Sequence, residues 1–303
     1  MEMENRKYHT PVMLPECLEG LQLKKDGVYV DVTYGGGGHS NAILDQIPEG
    51  KLFAFDQDND ALEKLTDHPN LIFVNHNFQF IKNFLKYHDM EKVDGILADL
   101  GVSSHQIDEG ERGFSFRFDA DLDMRMNQDQ DLDAYEIVNT YSVEDLSKIF
   151  KVYGEIRYAW RLANKIVAYR KNKAIKTTGE LADLMEEFTI PKQRNKELAQ
   201  LFQALRIEVN DELGVLKSFL TNSLNSLKPG ARLVVMSYHS LEDRLVKTFM
   251  QSGNFEGKVV TDAYGNTDRP FKLINRKPIT ASDQELAINP RSRSAKLRIA
   301  EKL

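Results

Sequence analysis

Cysteine is almost absent from this chain, which has one, Cys17, among 303 residues. No disulfide can therefore form within the chain, and such usage is typical of the reducing cytoplasm. Long apolar runs are missing as well, since none approaches the roughly 18 to 20 residues of a membrane span. The first residues, Met1–His9, also lack the apolar core of a signal peptide. These absences predict a cytoplasmic protein without a membrane anchor.

Patterns of metal ligands are missing too. The seven histidines are scattered and, with a single cysteine, show no spacing typical of a zinc site, so we expect no bound metal. The composition, 41% hydrophobic and 28% charged, is that of a globular protein and excludes collagen, coiled coil or general disorder. The length predicts two domains, or one large α/β domain that carries an insertion.

A general excess of basic residues, the usual mark of a nucleic-acid-binding protein, is also absent. Forty basic residues stand against 46 acidic ones, which gives a formal net charge of −6. The charges are nevertheless segregated along the chain. Residues 108–136 hold ten acidic and three basic residues, residues 148–176 nine basic and one acidic, and residues 269–302 nine basic and three acidic.

The basic stretch 148–176 also contains four aromatic residues, Tyr153, Tyr158, Trp160 and Tyr169. Basic side chains can hold phosphates while aromatic rings stack on splayed bases, so the stretch predicts contact with RNA. The alternative interpretation is a solvated helix face with some of the rings buried at a domain junction.

Strands and helices alternate in the first third of the chain. Short apolar segments rich in β-branched and aromatic residues predict strands. They are Val28–Thr33, Lys51–Phe55, Leu71–Asn75 and Gly95–Ala98. The helices predicted between them are Asn41–Ile47, Asn59–Leu65 and Phe80–Tyr87. This alternation indicates βαβ units and a parallel sheet.

Residues 108–202 follow a different pattern, with loops and helices and no strand signal. Ser142–Asp145 matches a capping box and predicts the start of a helix. A long amphipathic segment, Lys196–Leu227, comes next, and we expect it to bend or split near Asn210.

Strand character returns at Arg232–Ser237 and Lys296–Ala300, and Ser240 is expected to cap a helix between them. The simplest arrangement is a doubly wound α/β domain formed by residues 1–107 and 203–303. The helical stretch is then a domain inserted after the fourth strand.

Four consecutive glycines, Gly35–Gly38, follow the first predicted strand. Glycines at this position let the backbone approach a ligand closely, and the helix N-terminus behind them offers free N–H groups. The dinucleotide fingerprint G-x-G-x-x-G is met only in part, because Ser40 stands where the third glycine would be.

Acidic residues stand at the ends of three predicted strands, Asp31, Asp56 and Asp99. Asp56 comes 18 residues after Gly38, where a carboxylate can accept hydrogen bonds from both hydroxyls of an adenosine ribose. Each aspartate alone could simply cap a helix or a turn. Together with the glycine loop, the three predict a nucleoside ligand across the sheet edge.

Two nucleoside cofactors fit this pattern. NAD needs a site for its pyrophosphate and usually the full glycine spacing, so an NAD-dependent oxidoreductase is the alternative. S-adenosylmethionine has no phosphate and needs a loose glycine loop with acidic groups for its ribose and amino group. The sheet layout resembles the class I methyltransferase fold, which favours S-adenosylmethionine.

Eight motifs spread over the chain carry a more specific resemblance. They are His9–Leu14, Tyr34–Ser40, Asp99–Ser104, Glu111–Phe116, Leu122–Met126, Ser237–Arg244, Asn289–Ser294 and Leu297–Ala300. Together they resemble the RsmH (MraW) family of ribosomal RNA small-subunit methyltransferases. The resemblance implies a class I, Rossmann-like, S-adenosylmethionine-dependent methyltransferase domain with an inserted all-helical domain for substrate recognition. It also implies methylation of N4 of a cytosine in the decoding region of 16S rRNA, within the small ribosomal subunit.

The resemblance also implies a set of cofactor-binding residues. They are Gly37, Gly38, His39, Asp56, Phe78, Asp99 and Gln106. The Phe78 ring could pack against the adenine, although core packing is the alternative. No catalytic residue is assigned.

One departure concerns the loop after the fourth strand. Many methyltransferases that act on amino groups of bases carry a proline pair and an aromatic residue there, whereas this chain has Asp99-Leu-Gly-Val. Another residue must then hold the target base, and the candidates are Tyr238, His239, Phe114 and Phe116. A non-catalytic RNA-binding or ribosome assembly factor on the same fold remains a further alternative.

Overall fold

The computed structural model describes residues 11–261 and 267–303. Its backbone separates into two compact units, Met1–Gly101 with Gly214–Leu303, and Val102–Leu213. The first two residues of the motif His9–Leu14 lie outside the described residues. No helix in the described ranges is long and apolar enough to cross a bilayer.

The strands belong to the first unit. They are β1 Val28–Asp31, β2 Lys51–Asp56, β3 Leu71–Asn75, β4 Val93–Asp99, β5 Leu227–Ser237, β6 Val260–Thr261, β7 Thr267–Asp268, β8 Phe271–Leu273 and β9 Lys296–Lys302. Seven of them form one sheet in the order β3-β2-β1-β4-β5-β9-β8, and β6 pairs with β7 alone. Strands β1 to β5 are parallel, whereas β9 runs antiparallel to β5 and β8. The predicted α/β class with a mainly parallel sheet is confirmed.

Twelve α-helices accompany these strands in the described ranges. The first six are α1 Leu14–Leu21, α2 Gly38–Leu44, α3 Ile81–Tyr87, α4 Ser104–Asp108, α5 Ala134–Thr140 and α6 Val143–Val152. The others are α7 Ala159–Arg170, α8 Thr178–Met185, α9 Arg194–Val209, α10 Glu212–Ser226, α11 Ser240–Ser252 and α12 Asp283–Ile288. Short 3₁₀ helices cover Asn59–Lys64, Phe78–Phe80, Gly110–Arg112, Glu186–Phe188 and Pro290–Ser294.

Both faces of the main sheet are buried. Neighbouring residues along a strand point to opposite faces. On one face Val30, Ile96 and Val235 join one hydrophobic cluster, while Leu97 and Val234 on the other face join a second. Strands of a sheet that is covered on both faces are nearly continuous apolar runs in the sequence, which is why these strands are readily predicted.

Two local predictions need correction. The segment predicted as a helix at Asn59–Leu65 is a 3₁₀ helix that ends at Lys64. Ser240 is not the cap of α11 but its first residue, and His239 holds the cap position. The Glu242 carboxylate accepts the backbone N–H of Tyr238 at 3.0 Å, so an acidic residue of the first turn holds this helix start.

The second unit has its own hydrophobic core, formed by helices α5 to α9. The predicted boundaries of the insertion were residues 108 and 202, whereas the unit extends over Val102–Leu213. Its end lies later because Ala204, Leu205 and Val209, which follow residue 202 on α9, are also buried in this core.

The predicted break near Asn210 is confirmed. Helix α9 ends at Val209, and Asp211 has a left-handed φ of 45°. The Asn210 side chain donates to the Met124 carbonyl at 2.9 Å and accepts the Met126 N–H at 2.8 Å. The helix therefore ends where the asparagine amide turns to bond the Met124–Met126 segment.

Candidate functional site

The strand order reverses between β1 and β4, which places the following loops on opposite sides of the sheet. Such a reversal leaves a crevice at the carboxyl ends of the strands, where α/β proteins bind ligands. Strands β1, β2 and β4 end at Asp31, Asp56 and Asp99. The three predicted carboxylates therefore lie along one edge of the sheet, at the reversal point.

Thr33 connects two of these strand ends. Its backbone N–H and hydroxyl donate to Asp31 Oδ1 at 3.1 and 3.3 Å. Its hydroxyl oxygen also accepts the backbone N–H of Asp99 at 2.8 Å. The other Asp31 oxygen accepts the Ser40 hydroxyl at 2.7 Å. Asp31 is fully buried, so its role is to fix the glycine loop to the sheet.

Asp99 is the carboxylate that opens to the crevice. Its side chain is 22% exposed, and Oδ2 lies 3.8 Å from His39 Nδ1. Its Oδ1 accepts the Tyr238 hydroxyl at 2.7 Å. Tyr238 directly follows β5, so the ends of two adjacent strands meet in this hydrogen bond.

Asp56 holds the other side of the glycine loop. Its two oxygens accept the backbone N–H groups of Gly35, at 2.8 Å, and Asp58, at 2.9 Å. The backbone N–H of Gln57 is a further donor to this carboxylate. An ionised carboxylate has about four lone-pair sites, so it can still accept a hydrogen bond from a ligand.

The glycines of the loop have different surroundings. A Cβ atom on Gly37, whose φ is 77°, would lie 2.7 Å from the Tyr34 hydroxyl, and one on Gly38 would lie 2.3 Å from Pro11 Cγ. A Cβ on Gly36 would meet nothing within 4 Å. Gly37 and Gly38 are thus required by packing within the chain, whereas Gly36 borders open space.

Burial raises the pKa of all three carboxyl groups. The pKa of Asp31 and of Asp56 rises from 3.8 to about 6 in each case, although hydrogen bonds from Ser40 and from the loop backbone oppose the rise. The pKa of Asp99 rises to about 7 through burial, while the hydrogen bond from Tyr238 opposes the rise. Perturbed carboxyl groups that cluster in a crevice are typical of functional sites.

His39 is neutral in this environment. Burial lowers the pKa of its imidazole, even though Asp31 acts in the opposite direction. Its Nε2 lies 3.1 Å from the Val12 carbonyl oxygen, which can only accept a hydrogen bond. The proton is therefore on Nε2, and Nδ1 faces Asp99 as an acceptor.

The predicted residues Gly37, Gly38, His39, Asp56 and Asp99 are thus brought together at one edge of the sheet. Phe78 is connected to this group through neighbouring residues. The preceding Asn77 donates to Gln57, the neighbour of Asp56, at 2.8 Å. The Phe78 ring is half-buried and packs edge-on against Phe219, with 5.3 Å between the ring centroids.

Gln106 belongs to the second unit. Its side-chain Oε1 accepts the backbone N–H of Ser103 at 3.0 Å, and the backbone N–H of Gln106 donates to the Ser103 hydroxyl at 3.1 Å. These bonds form a capping box at the start of α4. The side chain therefore has a structural role in the helix start.

The four candidates for holding the target base differ in their surroundings. Tyr238 bonds Asp99, and the pKa of its hydroxyl is raised by burial and by that carboxylate. His239 is largely buried, with Nε2 at 3.3 Å from a Glu242 oxygen. Phe114 and Phe116 pack against the core of the second unit. Of the four, Tyr238 contacts a predicted cofactor residue of the first unit.

Three parts of this geometry could not be predicted from the sequence. Thr33 links Asp31 and Asp99, but a threonine after a strand carries no special signal. Gly36 stands among four identical residues, and only the structure separates it from Gly37 and Gly38. The Tyr238–Asp99 pair spans 139 positions in the chain and has no local pattern at all.

Comparison with known proteins identifies the family. The model of the MraW methylase family matches residues 6–303. The chain belongs to this family. It is 53% identical to the ribosomal RNA small subunit methyltransferase H of Bacteroides thetaiotaomicron, with all of both chains covered. It is 56% identical to the protein of the same name from Flavobacterium johnsoniae, with 98% of each chain covered.

Membership of the MraW methylase family confirms the predicted resemblance and the methyltransferase fold. The protein is a methyltransferase, and the NAD-dependent alternative is set aside. A relative from Amoebophilus asiaticus, again named ribosomal RNA small subunit methyltransferase H, is 54% identical over 97% of this chain and 96% of its own. The likeness therefore extends through both units of the chain.

Proposed function

We propose that this protein transfers a methyl group from S-adenosylmethionine to N4 of a cytosine in the decoding region of 16S rRNA. The observation that carries the proposal is the group of strand-end carboxylates around the glycine loop, in a chain of the MraW methylase family. The name shared by the full-length relatives supports ribosomal RNA of the small subunit as the substrate.

The surroundings of the glycine loop fit the cofactor. Gly36 borders open space, and Asp56 keeps lone pairs beside the loop, so a ribose can lie there with its hydroxyls on this carboxylate. Gly37 and Gly38 allow the backbone to turn tightly behind it. The exposed part of the Phe78 ring offers an apolar surface for the adenine.

His39 and Asp99 are the proposed contacts for the methionine end. A carboxylate at Asp99 complements the positive charges of that end, and the neutral His39 adds an acceptor without repelling them. Gln106 of the second unit was implied by the family resemblance as a further contact. Its Oε1 accepts the backbone N–H of Ser103, which holds the side chain at the start of α4.

The cofactor supplies an electrophilic methyl group to this edge of the sheet. The exocyclic amine of cytosine is a weak nucleophile, because its lone pair is delocalised into the ring. The main task of the protein is therefore orientation, which can contribute about 7–11 kcal/mol, whereas general base catalysis adds about 10²–10⁴-fold. Asp99 can accept an N–H of the amine, and the Tyr238 hydroxyl holds that carboxylate in place.

The second unit is the proposed substrate-recognition domain. It carries the basic stretch 148–176 and is connected to the first unit directly after β4, the strand that ends at Asp99. The target base must be unstacked before its edge can reach a methyl donor. A separate domain that grips the surrounding RNA would hold the strand in that state.

A methyl-transfer assay tests this function. The purified protein is incubated with radiolabelled S-adenosylmethionine and small ribosomal subunits from a strain that lacks the enzyme. We expect label in 16S rRNA, and no label when the subunits come from a strain that has the enzyme. Cofactor binding without any incorporation would contradict the proposal and favour a non-catalytic assembly factor.

A further inference from the structure

Trp160 is the single tryptophan of the chain, and it is 54% exposed. It lies in the first turn of α7. Asn164, Ala168 and Lys171 follow it on the same side of the helix by their spacing, and all three are exposed. Tryptophan is the residue most enriched at sites that dominate binding. This side of α7, with its exposed indole, has the character of a binding surface.

The other aromatic residues of the basic stretch are used inside the second unit. The Tyr158 ring stacks on Phe188 with 5.2 Å between centroids, and its hydroxyl donates to Glu197 at 2.9 Å. Tyr153 and Tyr169 pack against the core of the unit. Trp160 is therefore the aromatic residue of this stretch whose ring is open to a ligand.

Three of the nine basic side chains in the stretch are likewise paired inside the unit. Lys165 bonds Glu187 at 2.6 Å, and Lys173 bonds Glu180 at 2.5 Å. The Arg170 guanidinium donates to backbone carbonyls. These three side chains already have partners inside the unit, carboxylates for the two lysines and carbonyl oxygens for Arg170.

Three other cations of the stretch have no such carboxylate partner in the described ranges. Arg157 and Lys171 are exposed and form no ion pair there. Arg161 is exposed and lies with its guanidinium 5.2 Å above the Phe188 ring, which orients it without neutralising it. No acidic residue occurs from position 156 to position 179. This part of the chain therefore contributes only positive charges beside the indole.

We propose that Trp160, Arg157, Arg161 and Lys171 form a binding surface for single-stranded RNA. The indole stacks on one base, and the three cations contact neighbouring phosphates. The inference rests on the proposed function, because the RNA is then a segment of the ribosomal substrate. It goes further in naming one ring and three cations as the contacts.

The fluorescence of Trp160 measures the proposed contact between its indole and the RNA, because the chain has no other tryptophan. The probe is a single-stranded RNA of about ten nucleotides, which is within the usual site size. We expect the RNA to quench the emission and to protect the indole from acrylamide, with both effects lost at high salt. Emission and acrylamide access that stay unchanged at saturating RNA would overturn the proposal.

Variants test the same surface by the anisotropy of the labelled RNA. Trp160→Ala should weaken binding about tenfold or more, and Trp160→Phe should keep most of the affinity because its ring still stacks. Arg157→Glu with Arg161→Glu should weaken binding and flatten its salt dependence. The control is Tyr87→Ala in the first unit, where the tyrosine is 79% exposed, and it should bind as the wild type does. Wild-type affinity in Trp160→Ala would overturn the surface.

The methyl-transfer assay separates this inference from the proposed function. A wild-type protein that binds RNA through Trp160 but transfers no methyl group would overturn the function and leave the surface standing. A Trp160→Ala variant that keeps both RNA affinity and kcat/KM on small subunits would overturn the surface and leave the function. Protection of Trp160 by ribosomal protein, and not by RNA, would also overturn it.

Discussion

At Asp99, burial and the hydroxyl of one tyrosine act on the pKa of a single carboxyl group in opposite directions. Burial raises its pKa to about 7, and the hydrogen bond from Tyr238 keeps the rise from going further. Asp31 and Asp56 have a pKa of about 6 for the same main reason. Of the three, Asp99 opens to the crevice, and under the proposed function a cationic ligand would stabilise its ionised form.

The first prediction concerns pH. An aspartate in an unfolded chain titrates near 3.8, so these groups keep their protons in the folded protein after the unfolded chain has lost them. Their contribution to stability is full below about pH 4 and is lost as the pH rises to about 7. A ligand that needs ionised carboxylates must displace these protons, so cofactor affinity should rise with pH over the same window.

Calorimetric titration with S-adenosylmethionine between about pH 5 and about pH 7 measures this dependence. Asp99→Asn should make the cofactor affinity less dependent on pH in the upper part of this range, since Asp99 has the highest pKa of the three. A constant affinity across the window, or one that falls as the pH rises, would contradict the assignment of these carboxylates.

The second prediction concerns Asp56. Asp56→Asn keeps an acceptor for the loop but removes the charge that would bind the ribose hydroxyls. Hydrogen bonds to charged groups contribute about 1.5–3 kcal/mol, so the affinity for the cofactor should fall about tenfold to a hundredfold. The matched control is Asp45→Asn, an exposed carboxylate at the end of α2, which should bind normally. Unchanged affinity in Asp56→Asn would remove this residue from the site.

At the scale of elements, the glycine loop combines two tasks that the sequence alone does not separate. Gly37 and Gly38 face Tyr34 and Pro11 of the same chain, so their lack of a side chain serves packing. Gly36 faces open space, where under the proposed function its lack of a side chain would make room for the cofactor. A run of four glycines indicates a close approach of the backbone, but it does not show whether the contact is with the chain itself or with a ligand.

A third prediction follows from this difference. Gly36→Ala should leave the free energy of unfolding nearly unchanged and weaken cofactor binding about tenfold, because overpacking costs about 1–3 kcal/mol. Gly38→Ala should instead destabilise the protein by a similar amount, since its Cβ would lie 2.3 Å from Pro11 Cγ. Thermal unfolding and calorimetric binding of both variants measure the contrast. Normal binding by Gly36→Ala would show that the cofactor does not occupy this space.

A fourth prediction concerns helix α6. The Ser142 side chain accepts the Asp145 N–H at 3.0 Å, as the capping motif in the sequence predicts. Ser142→Ala should therefore lower the free energy of unfolding by about 1 kcal/mol. Ser147→Ala in the middle of the same helix is the control, and it should be neutral or slightly stabilising. Equal effects of the two variants in urea unfolding would contradict a capping role.

At the scale of the whole molecule, the strand ends and the helix break could be predicted because each depends on a local pattern of residues. Strand ends at Asp31, Asp56 and Asp99 lie where apolar runs stop, and the break near Asn210 lies within a long amphipathic run. The cap of α11 was misplaced by one residue because the bond that holds it comes from Glu242, not from a serine.

Long-range contacts account for what could not be predicted. Tyr238 meets Asp99 because β5 pairs with β4 in register, and no property of either local segment encodes that pairing. The extent of the second unit depends on which core the residues of α9 enter, which is a packing outcome. The overall charge of −6 similarly conceals the surface around Trp160, where the local charge is positive.

The central claim is that the protein methylates N4 of one cytosine in 16S rRNA. Nucleoside mapping by mass spectrometry compares 16S rRNA from a strain that lacks the protein with the same strain after the gene is restored. We predict that a single N4-methylated cytosine in the decoding region is absent in the first and present in the second, and that Asp56→Asn lowers its level. Identical modification of that cytosine in all three strains would contradict the account.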